Sequence, residues 1–150
     1  MRTLIVLALT VSFSAFAGEY VKQKVSFSPN TYTGSGTQTY YNCDSVEDMA
    51  ISHLESLGAT NVRVICSGGI GWGNPFPTPA FLSGSFDAPV PTAGGPAQAV
   101  ELKGSESCNL NTEFLDYVIP KFSGVKVVSR KASCHGGRFD RWAYMLDVTL

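Results

Sequence analysis

Residues 39–69, TYYNCDSVEDMAISHLESLGATNVRVICSGG, decide the fold class. The run Thr39-Tyr40-Tyr41-Asn42-Cys43 is rich in β-formers, and Asp44 with Glu47 then resembles a capping box, in which two side chains satisfy the first free amides of a helix. A helix is expected from Ser45 to Leu57. Val46, Met49, Ala50, Leu54 and Leu57 form one apolar stripe at helical spacing, and Gly58 supplies the stop. A strand follows over Asn61–Cys66, with Val62, Val64 and Cys66 on one face and Arg63 and Ile65 on the other.

The same order returns further along: an extended AQAVELK segment, Cys108, an asparagine-rich cap at Asn109 to Asn111, and a helix to about Phe122 with Pro120 kinking its last turn. Met49, Ala50, His53, Leu54 and Leu57 stand at the same offsets from Cys43 as Phe114, Leu115, Val118, Ile119 and Phe122 from Cys108. A strand over Val125–Ala132 leads to Cys134, and Cys66-Ser67-Gly68-Gly69 is echoed by Cys134-His135-Gly136-Gly137. The chain thus reads as two pseudo-repeat halves, about 38–69 and 97–137.

Outside the halves, Tyr20–Phe27 reads as an edge strand whose Lys22 and Lys24 discourage pairing with other chains. A final strand over Arg141–Leu150 alternates, with Trp142, Tyr144, Leu146, Val148 and Leu150 on one face. The connection 68–96 holds seven glycines and six prolines, too many breakers for continuous structure. Only Ala80–Asp87 reads there as a short strand, with Leu82 and Phe86 on one face and Gly84 as a bulge or close-approach site. Two βαβ-like halves predict an α+β fold, a ferredoxin-like sandwich with a mainly antiparallel sheet, two helices on one face and extra terminal strands.

Over roughly thirty residues, Asn42-Cys43-Asp44-Ser45-Val46-Glu47 through Leu54-Glu55-Ser56-Leu57-Gly58-Ala59 to Asn61-Val62-Arg63-Val64 resembles a heavy-metal-associated domain. That family grips a soft metal ion with a second thiolate three residues after the first, where this chain has Val46. The resemblance therefore implies a fold and no metal site, and no cofactor is expected.

The 150 residues are 44% apolar and only 15% charged. Part of that bias lies in MRTLIVLALTVSFSAFA, residues 1–17, where one arginine, a long apolar run and Ala15-Phe16-Ala17 read as a cleaved signal peptide. Residues 18–150 then form a single domain with 10 basic and 12 acidic side chains, a net charge of −2. That balance excludes the broad basic field of a nucleic-acid binder. No later stretch has the length of a membrane span, and no cysteine follows the leader to carry a lipid, so a periplasmic or extracellular protein that is not lipid-anchored is expected. Cys43, Cys66, Cys108 and Cys134 then favour two disulfides. Three pairings exist in principle. The ferredoxin-like topology makes Cys43–Cys66 with Cys108–Cys134 the reachable one, each closure contributing about 3 kcal/mol.

Candidate functional residues fall in two places. Trp72 and Phe76, on a Gly/Pro frame, have the character of interface anchors, or fold back as a lid over a sheet edge. His135, Arg138 and Arg141 follow in a segment holding six of those ten basic residues, opposed only by Asp140, where Gly-turn amides and guanidinium groups suit an anion unless the segment is simply a solvated face. His53 is a possible ligand or acid–base group, but its place on the apolar stripe suits a core-edge histidine better. No nucleophile triad, phosphate loop or zinc spacing is recognisable. The leading expectation is a non-enzymatic module that binds a protein or envelope component. A small-molecule or anion binder at the basic turn is the alternative, and a hydrolase using His53 or His135 is a third reading.

Overall fold

The computed structural model describes residues 18–32, 36, 38–71, 73, 75–136 and 140–150, so residues 1–17, expected to form a signal peptide, and Trp72 and Arg138 lie outside the described residues. The elements run β1 (Tyr20–Phe27), α1 (Cys43–Ser56), β2 (Thr60–Gly69), β3 (Thr78–Pro89), β4 (Ala97–Gly104), α2 (Cys108–Val118), β5 (Val125–Ser133) and β6 (Arg141–Thr149). The repeat is wider than the segments 38–69 and 97–137: the halves are β1 to β3 and β4 to β6, each strand–helix–strand–strand. A helical crossover leaves a one-strand gap between the two parallel strands it joins, and the third strand fills that gap antiparallel to both. The sheet orders are accordingly β1-β3-β2 and β4-β6-β5.

The α+β class holds, with two helices, but the strands do not form the single sheet of a ferredoxin-like sandwich. They form two antiparallel sheets of three. The difference originates in residues 68–96, where the expected short strand is instead the twelve-residue β3, the centre of the first sheet. Its prolines are tolerated because Pro79 and Pro89 sit at its ends. Gly84 sits where β3 meets β2, with φ +151° and no room for a side chain: a Cβ there would lie 2.0 Å from the Arg63 carbonyl oxygen.

Local capping also differs from the expected box. Asn42 caps α1, its Oδ1 accepting from the amides of Asp44 (2.8 Å) and Ser45 (3.3 Å). Glu47 instead accepts from the amide of Cys66 on β2. In the second half Asn111 works from inside the helix, its Nδ2 donating to the carbonyls of Glu106 (3.2 Å) and Ser107 (3.0 Å). Pro120 tightens the end of α2 into a 3-10 turn, Ile119–Lys121.

One core joins the halves. Val46, Ala50, Leu54 and Leu57 of α1 and Phe114, Leu115 and Val118 of α2 are buried with Leu82 and Phe86 of β3 and Tyr144 and Leu146 of β6. Ring contacts cross between the halves, among them Phe27 edge-on to Phe114 at 5.3 Å, Phe86 stacked on Phe122 at 5.1 Å, and His53 edge-on to Trp142 at 5.6 Å. Helix α2 also completes the edge of β1, since the Ser26 amide donates to the Tyr117 hydroxyl (2.8 Å) and the Asn30 amide beyond it to Glu113 (2.8 Å).

Disulfides join Cys43 to Cys66 and Cys108 to Cys134, with Cα separations of 5.3 and 5.4 Å. For the first pair the geometry follows from element lengths. From Cys43 to Leu57 the helix climbs about 21 Å, and from Thr60 to Cys66 the strand returns about 20 Å, so both cysteines end at the same level. No helix among the described residues is long and apolar enough to cross a membrane.

Candidate functional site

The β2–β3 loop rises from a braced base. Cys66 is tied to the start of α1 by its disulfide, and a bulge between Ser67 and Gly69 redirects the chain. The Ile70 amide then donates to the Tyr41 carbonyl (3.0 Å), and Asn42 Nδ2 to the Ile70 carbonyl (3.2 Å). Beyond this base Phe76 is 74% exposed. Two apolar side chains stand on the outer face of the sheet from which the loop emerges: Ile65, 69% exposed, opposite Ser83, and Phe81, 42% exposed, opposite Ser67. Residues directly opposite in an antiparallel pair share a face, so Ile65 and Phe81 are diagonal neighbours on one surface. Ile65 and Phe81 both alternate with inward positions in the sequence, but only the register of β3 against β2 brings them onto one surface as neighbours.

The β5–β6 turn is organised differently from the anion site its composition suggests. Asp140, buried, accepts from the amides of His135 (2.7 Å) and Gly136 (2.9 Å). The turn amides thus already hold a carboxylate of this chain. Arg138 lies outside the described residues. Arg141 is the first residue of β6, opposite Ser133 on the outer face of the second sheet. The His135 side chain is exposed. A cleft of about 400 Å³ lined by Thr39 and Tyr41 together with Cys108, Gly136 and Asp140 places this turn at the same end of the molecule as the base of the Phe76 loop. Burial, then the charge of Glu113, pushes the Tyr41 hydroxyl above its usual range, so it stays protonated there.

Two polar networks join the second half's helix to its surroundings, one buried around His53 and one half-exposed around Arg130. His53 Nε2 meets Asn111 Oδ1 at 2.6 Å. Because the Asn111 amide nitrogen donates to two carbonyls, its oxygen is the acceptor and His53 Nε2 carries the proton. Burial pushes the His53 imidazole below its usual value, against the opposing effect of the Asn111 bond. The second network joins Tyr144, Asp116 and Arg130: the Tyr144 hydroxyl donates to Asp116 Oδ1 (2.7 Å), and the Arg130 guanidinium donates to both Asp116 oxygens (3.1 and 2.7 Å) and to the Tyr144 oxygen (3.0 Å). Burial and then Asp116 raise the Tyr144 hydroxyl to about 12. Arg130, one of the six cations of the basic segment, is thus held by an acid of this chain.

The state of His53 has a measurable consequence. Its folded value lies below its unfolded one, so as pH falls through the ordinary histidine range near 6.5 the unfolded chain takes up a proton that the folded chain resists. Stability present at pH 7 is expected to decline by pH 5. In His53→Gln, whose side-chain amide can still donate to Asn111, that decline should shrink. Denaturant midpoints at the two pH values check this, and an undiminished decline in the variant would assign it to other groups.

Among the described residues no group of three or more His, Cys, Asp or Glu side chains is arranged to hold a metal ion. Comparison with known proteins finds no matching family model, no similar curated protein and no similar solved structure.

Proposed function

We propose that this chain is an exported, non-enzymatic module that binds a protein or envelope component through the apolar surface carrying Ile65, Phe76 and Phe81. The observation that carries the reading is the exposure of Phe76 (74%) and Ile65 (69%) above a base held by a disulfide and two hydrogen bonds. Aromatic and aliphatic anchors on a rigid support lose little freedom on binding, which is how a small contact gains affinity. The apolar leader and the two disulfides favour an oxidising compartment outside the cytoplasm. Catalysis is not favoured at His53, which is buried and committed to Asn111. Anion binding at the His135 turn is not favoured either, since Asp140 occupies its amides.

Co-sedimentation with the envelope fraction of the source cells tests the reading. The wild-type chain is expected to bind saturably. Ile65→Ser combined with Phe76→Ser should weaken that binding by about tenfold or more, because truncated anchors each cost upwards of about 1 kcal/mol. Thermal unfolding should stay nearly unchanged, since exposed positions contribute little to folding. Equal binding by variant and wild type would contradict the assignment of this surface.

A further inference from the structure

The outer face of the second sheet carries a basic trough independent of the Phe76 surface. Sheet register places most of its residues. Lys103 of β4, Ala143 of β6 and Lys131 of β5 lie side by side across the three strands, one pleat further along Arg141 faces Ser133, and Ser105, the residue after β4, lines the same cavity. Strands are about 4.8 Å apart and same-face residues about 7 Å apart along a strand. The two lysines therefore start about 10 Å apart across the small Ala143, and three long cationic side chains can close on one point above it. These six residues line an open cavity of about 880 Å³, room for an organic body as well as a charged group.

The charges there are not all spent. Lys103 is paired with Glu101 at 2.9 Å, whereas among the described residues Lys131 and Arg141 form no ion pair. Nor does any acid among the described residues line the cavity. Two uncompensated cations match a dianion, and the hydroxyls of Ser105 and Ser133 add donors for an acceptor with more oxygens than a carboxylate has.

We propose that this trough binds a phosphate ester, with its oxyanion between Lys131 and Arg141 above Ala143 and its organic part along the cavity. A soluble phosphate ester and the headgroup of an anionic phospholipid share this chemistry, and the test separates them. Glycerol 2-phosphate titrated by calorimetry is one probe; flotation with phosphatidylglycerol vesicles, against phosphatidylcholine vesicles, is the other. Binding of at least one anionic probe is expected, weakening as salt is raised. Lys131→Gln with Arg141→Gln should reduce it by about a hundredfold, about tenfold for each charge-assisted hydrogen bond removed. Lys131→Arg should retain it. Binding of the soluble ester identifies a free ligand, and binding of phosphatidylglycerol vesicles alone identifies a headgroup. Failure of the wild-type chain to bind either probe, or equal binding by the double variant with an unchanged unfolding temperature, would overturn the proposal. The Phe76 surface would be untouched by that result, since Ile65→Ser/Phe76→Ser leaves the trough intact.

Discussion

A chain with serine at Cys43, Cys66, Cys108 and Cys134 is expected to lose about 6 kcal/mol of folding stability, about 3 kcal/mol for each loop. The loops span separations of 23 and 26 residues, so their closure entropies are nearly equal. They do not overlap, one lying in each half, so the losses should add. Small domains have only about 5–15 kcal/mol in all, and the melting temperature should fall by roughly 20 °C or the fold be lost. Each single-bridge variant, with one cysteine pair replaced, should show about half that fall, read by thermal melting under non-reducing conditions. Opening the first bridge carries a second consequence: Cys66 lies at the base of the Phe76 loop, so Cys43→Ser/Cys66→Ser should weaken envelope binding more than Cys108→Ser/Cys134→Ser at temperatures where both are folded.

Gly84→Val is expected to cost more than about 4 kcal/mol, in the exceptional range for one substitution. The new Cβ would sit 2.0 Å from the Arg63 carbonyl oxygen and 2.8 Å from the Val64 Cα, both backbone atoms of the neighbouring strand. Neither atom can swing aside as a side-chain tip would, so β2 and β3 must separate along the centre of the first sheet. The φ of +151° adds strain for any residue with a Cβ. Loss of the cooperative unfolding transition, or failure to express folded protein, is the expected readout. A variant melting within a few degrees of wild type would contradict the close strand approach.

Much of this fold is legible in local periodicity. The stripe through Val46, Ala50 and Leu54 and the alternation of Trp142, Tyr144, Leu146 and Val148 mark the buried faces of α1 and β6, and both faces are buried. The pairing of Cys43 with Cys66 and Cys108 with Cys134 is also the expected one, although the single-sheet topology that predicts it is not the one the strands adopt. What local patterns do not carry is partnership. The proline and glycine density of residues 68–96 conceals β3, because Pro79 and Pro89 are harmless at strand ends and Gly84 answers to a contact 21 residues away at Arg63.

The candidate sites show the same limit. The basic segment looks like a pool of free charge until folding brings Arg130 against Asp116 and Tyr144. Asp140, the lone acid in that segment, is the signal that local sequence does offer: one carboxylate among cations and a glycine turn, and it holds the turn itself. Arg141 takes its neighbours from β4 and β5 through sheet register, and nothing in its local sequence names Lys103 or Lys131.

The most direct test of the binding surface is site-specific photo-crosslinking in the source cells, with the reactive residue placed at position 76 and, as a control, at exposed Gln98 on the far sheet. The account predicts a discrete adduct of defined mass from position 76 that is absent from position 98 and disappears when Ile65→Ser is added. No adduct at position 76, or the same set of adducts from both positions, would contradict it.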